Sequence, residues 1–184
     1  MKKEIPKAMR DSLHQEMGLR DMCKFLKSRS KNPNKILEVG SFCGESARIF
    51  CQEFPSAIIS CMDPWLPNYD DNDPASHVDM SIVESRFDRF MSGRRNVLKH
   101  KGTSEDFKNL EYFSSFCFCY IDGCHTYDAV KKDINTWMPR CKVAICGHDY
   151  GIKNHWLSCV TDAVQDTVGK PDAVFSDTSW LKLI

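Results

Sequence analysis

Residues 116–150, with the sequence FCFCYIDGCHTYDAVKKDINTWMPRCKVAICGHDY, decide how this chain folds. The stretch holds two apolar runs. The first ends at Asp122 with His125 just beyond it, and the second ends at His148 and Asp149. Between the runs, apolar side chains recur at helical spacing. Two buried strands joined by a helix are parallel neighbours, so both ends are expected at the same edge of one sheet. Polar groups that converge there form a site for ligands and chemistry.

The alternation of strands and helices continues on both sides of this stretch. Helical patterns are found at 8–28, after Gly44, around 83–91, at 127–137 and at 157–168, and strand patterns at 35–39, 57–62, 96–100, 116–121 and 143–146. This order predicts an α/β fold with a doubly wound, mostly parallel, Rossmann-like sheet. Two short apolar runs, 173–175 and 180–184, predict a C-terminal antiparallel hairpin.

Length and charge restrict the class of protein. The 184 residues predict a single domain, with a helical segment at 1–34 and the Rossmann-like core at 35–184. Lys and Arg together number 25, as do Asp and Glu, so a nucleic-acid partner held by phosphate contacts is not expected. No apolar run approaches the roughly 20 residues of a membrane span. The N-terminus lacks the apolar core of a signal peptide, so we expect a cytoplasmic protein.

The ten cysteines are expected to be reduced thiols. No Cys-x-x-Cys pair occurs, and several cysteines lie inside apolar runs, where a thiol packs as a small hydrophobic group. Cys117, Cys119, Cys124 and His125 could suggest zinc. However, Cys117 and Cys119 share one strand face, whereas Cys124 lies beyond the strand end. The zinc site is therefore the disfavoured interpretation.

Polar or glycine-rich turns also follow the three earlier strands. Glu38-Val39-Gly40-Ser41-Phe42-Cys43-Gly44 after the first strand would allow close approach of a ligand, although an ordinary strand-to-helix turn also fits. Asp63 at the end of the second strand is placed to accept hydrogen bonds from ribose hydroxyls, or to act as a loop or capping acid. Residues 102–105 after the third strand fit a turn with a capping serine.

Four motifs at successive strand ends resemble the class I S-adenosylmethionine-dependent methyltransferases. They are Glu-x-Gly-x-x-x-Gly at 38–44, Asp-Pro-Trp at 63–65, Asp-Gly-x-His-x-Tyr at 122–127 and Gly-His-Asp-Tyr at 147–150. The closest resemblance is to the small-molecule O-methyltransferase branch that includes macrocin O-methyltransferase and, more distantly, catechol O-methyltransferase. The likeness runs from about residue 35 to residue 184. One departure is Arg-Cys-Lys-Val at 140–143, where relatives often have a Gly-Gly turn; it leaves the register of the second acid–histidine end open.

The resemblance implies roles for the residues that match these motifs. The expected S-adenosylmethionine contacts are Glu38, Gly40, Ser41 and Gly44 around the methionine part, Asp63 at the ribose, Thr103, Ser104 and Glu105 at the adenine, and Asp122. The expected ligands of a divalent cation are Asp122, Asp149 and His148. His125 matches a general base. Carboxylates suit Mg²⁺, whereas coordination by His148 would favour manganese, iron or zinc. The alternative role of His148 is to support a metal ligand without touching the metal.

The resulting prediction is an S-adenosylmethionine-dependent methyltransferase that methylates a hydroxyl of a small molecule or sugar with the help of a metal. A cation lowers the pKa of a poorly nucleophilic hydroxyl, and a histidine can then accept its proton. A homo-oligomer is possible. The alternatives are a noncatalytic S-adenosylmethionine-binding protein and a metal-dependent hydrolase. The proline-rich loop at 64–76, with Trp65 and Tyr69, is either an acceptor-selecting lid or a surface excursion.

Overall fold

The computed structural model describes residues 13–30 and 33–184. The helices of these residues are α1 (Leu13–Arg29), α2 (Glu45–Glu53), α3 (Met80–Met91), α4 (Ser104–Phe107), α5 (Tyr127–Trp137) and α6 (Ser158–Val168). The strands are β1 (Lys35–Val39), β2 (Ile58–Asp63), β3 (Val97–Lys101), β4 (Phe116–Ile121), β5 (Cys141–Gly147), β6 (Ala173–Val174) and β7 (Trp180–Leu183). Short 3₁₀ turns occur at Pro74–His77, Glu111–Phe113 and Met138–Arg140.

The seven strands form one sheet in the order β3-β2-β1-β4-β5-β7-β6. The first five strands are parallel, and β7 runs antiparallel to both β5 and β6. The predicted α/β fold, with its mostly parallel sheet and C-terminal antiparallel hairpin, is therefore confirmed. Every residue of β4 is buried, as its continuous apolar run predicts for a central parallel strand.

The strand order reverses between β1 and β4, which opens a crevice at their carboxyl ends. Ladder-like hydrogen bonds continue past the strand ends there. The Asp122 amide donates to the Val39 carbonyl at 2.8 Å, and the His148 amide donates to the Ile121 carbonyl at 3.1 Å. These bonds align the tips of β1, β4 and β5 side by side, so the polar residues beyond them share one edge.

The core fills both faces of the sheet. On one face, α1, α2 and α3 cover a cluster that includes Phe50, Phe118 and Tyr120. On the other, α5 and α6 cover a cluster that includes Trp137 and Ile145. All ten cysteines are free, and eight of them are buried, which agrees with the predicted reduced thiols. Within the described ranges, no helix is long and apolar enough to cross a membrane.

The missing Gly-Gly turn before β5 left the register between β4 and β5 undetermined by sequence, and the structure shows that register. The strand begins at Cys141, two residues earlier than predicted, and Cys141 pairs with Phe116. The register then shifts, so that Phe118 pairs with Ala144. This bulge takes up one extra residue near the start of the strand, and Ile121 then pairs with Gly147. The acid–histidine ends of β4 and β5 therefore meet as the sequence predicts.

Other boundaries differ slightly from the sequence patterns. Strands β2 and β3 each begin and end one residue later than predicted. The expected capping serine is not the cap of the turn after β3, because Thr103 and Asp106 form a reciprocal capping box that starts the short helix α4. The Ser104 hydroxyl instead accepts a hydrogen bond from Trp137 Nε1 at 2.9 Å. Of the helix predicted at 8–28, residues 8–12 lie outside the described residues.

Candidate active site

The turn after β1 packs directly on the tip of β4. Gly40, Phe42 and Gly44 all have positive φ, at 87°, 43° and 85°. A Cβ on Gly40 would lie 1.9 Å from the carbonyl oxygen of Asp122, which is backbone and has little freedom to move. Glycine is thus required at position 40 by both its dihedral angle and its packing. Because Gly40 has no side chain, the turn can pack directly against Asp122.

Glu38 supports this turn from behind. Its side chain is fully buried and accepts hydrogen bonds from the hydroxyls of Ser41, at 2.6 Å, and Ser46, at 2.5 Å. Burial raises the pKa of Glu38 to about 7, although these bonds oppose the shift. Glu38 and Gly44 do not line the cavity described below, whereas Gly40 and Ser41 do. The structure therefore assigns Glu38 contacts within the turn itself.

Replacing Glu38 with glutamine is expected to remove part of the pH dependence of stability. Because the pKa of this acid is higher in the folded state than its usual 4.5, the folded protein binds more protons between pH 4.5 and about 7. Stability then falls over that range, by roughly 3 kcal/mol, and stays level above it. Urea unfolding at pH 5 and pH 8 measures the difference. Glu105→Gln, at an exposed ion-paired acid, is the control and should keep the wild-type difference; an unchanged difference in Glu38→Gln would refute the expectation.

Asp63 joins the first turn to the loop after β2. Its Oδ2 accepts from the Phe42 amide at 2.8 Å and its Oδ1 from the Trp65 amide at 2.7 Å. Burial raises its pKa, while these two amides oppose the shift. Asp63 lines the cavity, and its remaining lone pairs are the acceptors available to a ligand there. Its position is thus fixed by two backbone donors before any ligand binds.

The far end of the cavity is formed by the start of α4 and by one face of α5. Thr103, Ser104 and Glu105 line it, as does Asp133 of α5. Glu105 forms ion pairs with Lys108 at 2.7 Å and with Lys132 at 2.8 Å. Burial raises the pKa of Asp133 to about 6. The helical period predicts Asp133 on the outward face of α5, and the structure corrects this prediction because Asp133 lies in the cavity wall.

Asp122, His148 and Asp149 form a cluster at the tips of β4 and β5. Each offers one ligand atom, and these atoms lie within 4.8 Å of one another. His148 Nδ1 is 3.0 Å from Asp149 Oδ1 and 3.8 Å from Asp122 Oδ1. Asp149 has a φ of 63°, a left-handed conformation that aspartate tolerates better than most residues. Carboxylate oxygens with one imidazole nitrogen make a donor set that fits a divalent transition metal or Mg²⁺.

His125 lies between this cluster and the loop after β2. Its Nε2 is 3.3 Å from Asp149 Oδ2 and 3.8 Å from Asp122 Oδ1. Its ring meets Trp156 edge to face at 5.4 Å, and its carbonyl accepts the Cys159 thiol at 3.0 Å. The histidine expected to act as a base is thus held in the same site as the three expected cation ligands.

Charges in the cluster change the proton affinity of both imidazoles. Burial disfavours the charged form of His148, but Asp122 and Asp149 outweigh it and raise its pKa to about 9. Burial also opposes protonation of His125, yet the carboxylates of Asp122, Asp149 and Asp70 raise its pKa well above 6.5. The pKa of Asp149 is lowered despite burial, since both histidines lie beside it. The carboxylates of the cluster therefore favour the protonated form of both rings.

One cavity of about 650 Å³ connects these features. Its wall includes most of the residues predicted from sequence: Gly40, Ser41, Asp63, Thr103, Ser104, Glu105, Asp122, His125, His148 and Asp149. Among the described residues that line it, ten are carboxylic acids and only Lys132 is a permanent cation. Because the chain as a whole is neutral, this wall is a local concentration of negative charge. Glu16, Glu45 and Glu105 form ion pairs with Arg or Lys side chains, so the negative charge available to a positively charged ligand comes from the aspartates of the wall.

The loop of residues 64–79, between β2 and α3, contributes to the cavity wall. Tyr69, which the lid interpretation includes, lines the cavity. Asp70 and Asp73 of the same loop and Asp177 of the β6–β7 hairpin also line it, and sequence reasoning did not assign these acids to the site. Trp65 is only 4% exposed and packs on Phe87, so its side chain belongs to the core and does not cover the cavity. The acidic residues of the loop are visible in the sequence, but the sequence does not indicate which residues they contact.

A comparison with protein-family models identifies a family. The model described as "Methyltransferase domain" matches residues 37–150, which is more than half of the chain. The matched range starts in β1 and ends just after Asp149, so it includes the glycine turn and both acid–histidine ends. A comparison with curated proteins gives no match.

Solved structures with the same fold include several methyltransferases. The cofactor-bound Rv0187 from MTB aligns with a TM-score of 0.64 at 12% identity, covering 98% of this chain and 84% of that one. A putative O-methyltransferase from Klebsiella pneumoniae aligns at 0.61 and 12%, covering 97% and 84%. The O-methyltransferase TomG from Streptomyces achromogenes, in complex with SAM, aligns at 0.59 and 10%, covering 96% and 80%. The chain belongs to the methyltransferase-domain family and is, as predicted, a methyltransferase.

Proposed function

We propose that this methyltransferase transfers a methyl group to a hydroxyl of a small molecule or sugar, with a divalent cation held by Asp122, Asp149 and His148 and with His125 as the base. The observation that carries the proposal is the single cavity in which the glycine turn and Asp63 are continuous with the acid–histidine cluster. A donor in the first part and an acceptor in the second would be adjacent. The narrower resemblance to the macrocin-type branch remains a prediction.

The names of three structural neighbours support oxygen as the methylated atom. TomG and the protein from Klebsiella pneumoniae are named as O-methyltransferases, the second as a putative one, and so is a protein from Bacillus cereus in complex with SAH. These proteins are 10–13% identical to this chain, so the likeness concerns the fold. The choice of a hydroxyl acceptor rests on the acid–histidine cluster as well.

The cofactor part of the cavity is suited to a cationic nucleoside. S-adenosylmethionine supplies a methyl group on a positively charged sulfonium sulfur. The Gly40 and Ser41 turn would border its methionine part, Asp63 would accept the ribose hydroxyls, and residues 103–105 would border the adenine. Asp122 lies at the junction, where its backbone packs on Gly40 and its carboxylate faces the acid–histidine cluster. The carboxylates of the wall favour the sulfonium over its neutral thioether product.

The acceptor part of the cavity is suited to activating a hydroxyl. A cation held by Asp122, Asp149 and His148 would lower the pKa of a bound hydroxyl and fix its position. His125 would take the hydroxyl proton at Nε2 while the acceptor oxygen attacks the methyl carbon, and the sulfur would leave as a neutral thioether. A base must begin neutral, whereas the carboxylates favour the imidazolium form of His125. A bound cation would place positive charge beside the ring and lower the pKa of His125, which would favour the neutral form. The ligand atoms of the cluster and the negative charge around them therefore both suit a cation.

Isothermal titration with S-adenosylmethionine and with its demethylated product SAH tests the donor. We expect binding of both, and the absence of binding by the folded protein would contradict the proposal. Transfer of a radiolabelled methyl group to a panel of sugars, catechols and aliphatic alcohols, with and without added Mg²⁺ or Mn²⁺, tests the acceptor. A noncatalytic binding protein would bind the donor without transfer, and a metal-dependent hydrolase would not require the donor.

Replacing Asp122 with asparagine is expected to weaken cation binding by about tenfold to a hundredfold. The substitution removes a negatively charged ligand and keeps a side chain of nearly the same shape. Titration of Mn²⁺, followed by its electron paramagnetic resonance signal, measures the affinity. The control is Asp128→Asn on the exposed start of α5, which should bind Mn²⁺ as the wild type does. Equal affinities of the wild type and Asp122→Asn would exclude Asp122 as a ligand.

A further inference from the structure

The buried nitrogen of the His125 ring lacks a well-aligned partner. Among the described residues, Nδ1 is fully enclosed yet makes no hydrogen bond of acceptable geometry. Its nearest carboxylate oxygens are Asp70 Oδ2 at 3.3 Å and Asp73 Oδ2 at 3.7 Å. A buried N–H without an acceptor is costly, so one of these acids is expected to complete the contact.

Asp70 is far better placed than Asp73 for this contact. Its Oδ2 already accepts the backbone amide of His125 at 2.8 Å, so the carboxylate is anchored to the same residue as the ring. Only 4% of Asp70 is exposed. The Oδ1 of Asp73 instead accepts the Ala75 amide and caps the 3₁₀ turn that begins at Pro74. At 3.3 Å, Asp70 Oδ2 is within hydrogen-bonding distance of Nδ1, and only the alignment of the N–H is unfavourable.

Hydrogen bonds within the 64–79 loop hold Asp70 next to His125. The Asp70 carbonyl accepts the Ser76 hydroxyl, and its Oδ1 accepts the Asn72 amide at 3.1 Å. The Asn68 amide donates to the Ser76 carbonyl at 2.7 Å, which closes the loop on itself. The buried carboxylate of this loop, Asp70, therefore contacts the His125 segment, 55 residues later in the chain.

We propose that Asp70 is a positioning residue that accepts Nδ1–H of His125 and thereby turns Nε2 toward the acceptor side of the cavity. The inference rests on the proposed function only for the role of His125 as the base. The contact between Asp70 and His125 does not require a bound cofactor, cation or acceptor. It fixes which nitrogen faces the reacting hydroxyl, because a ring whose Nδ1–H is bound to Asp70 presents Nε2 to Asp122 and Asp149. Asp70 does not touch the reacting atoms.

Nuclear magnetic resonance of the full-length protein with ¹⁵N-labelled histidine tests the contact without an acceptor. We expect a low-field Nδ1 proton from His125, assigned by its loss in His125→Gln. In Asp70→Asn its exchange with water should become about tenfold faster, since a hydrogen bond to a charged acceptor is lost. Asp73→Asn is the matched control, and its exchange rate should stay within about twofold of the wild type.

Three results would overturn the proposal: no protected Nδ1 proton in the folded wild-type protein, no change in Asp70→Asn, or an equal change in Asp73→Asn. If Asp70→Asn fails to fold, Asp70→Glu keeps the charge with a longer side chain and should still alter the exchange rate and the ¹⁵N shift. SAH titration of the same samples separates this result from the proposed function. A protected proton without SAH binding would support the contact and contradict the proposed cofactor site. SAH binding without a protected proton would contradict the contact and support the cofactor site.

Discussion

An alanine at position 40 is expected to destabilise the protein by about 2–4 kcal/mol and to abolish binding of SAH. The first part of the cost is the positive φ of 87°, which is unfavourable by roughly 1 kcal/mol for any residue with a Cβ. The larger part is steric. The new Cβ would lie 1.9 Å from the Asp122 carbonyl oxygen and 2.6 Å from the Gly123 Cα, so the backbone beyond β4 would have to move.

Gly93→Ala is the matched control for this prediction. Gly93 also has a positive φ, 79°, but a Cβ there would meet no atom within 4 Å. It should therefore lose only the roughly 1 kcal/mol of the dihedral cost and bind SAH as the wild type does. Urea unfolding gives the two free energies, and isothermal titration gives the affinities. Equal losses in the two variants would mean that the close packing of the turn on β4 is not present in solution.

Replacing His125 with glutamine is expected to lower methyl transfer by about 10²–10⁴-fold. The amide of glutamine can still form a hydrogen bond, but it cannot take a proton at neutral pH. SAH affinity should stay within about threefold of the wild type, because none of the residues expected to border the cofactor is altered. The measurement uses the best acceptor of the panel, with saturating donor and cation.

His155→Gln serves as the control for the His125 variant. His155 is exposed and lies beside Trp156, the residue whose ring contacts His125, but it does not line the cavity. Its turnover should therefore match that of the wild type. If His125→Gln also kept turnover within a few fold, the proton acceptor would have to be another group, such as Asp149, whose Oδ2 lies 3.3 Å from His125 Nε2.

Sequence by itself determined the position of the central cluster. Asp122 and His148-Asp149 follow two apolar runs separated by an amphipathic helix, and parallel strands connected in this way end at the same edge. Neither the bulge at the start of β5 nor the missing Gly-Gly turn changed that outcome, because hydrogen bonding in the second half of the strand restores the pairing of Ile121 with Gly147. Local sequence patterns were therefore sufficient to predict the residues that lie at the ends of neighbouring parallel strands.

The tertiary structure alone decided which groups surround that cluster. Glu38 matches a cofactor motif, yet strand pairing turns its side chain into the protein, where Ser41 and Ser46 bind it. Asp70 comes from a loop, and its contact with His125 spans 55 residues of sequence. No periodicity relates such positions, because a loop is placed by long-range packing and by its own internal hydrogen bonds. The sequence therefore predicts the strand-end residues of the site, whereas the orientation of the histidine depends on the folded loop.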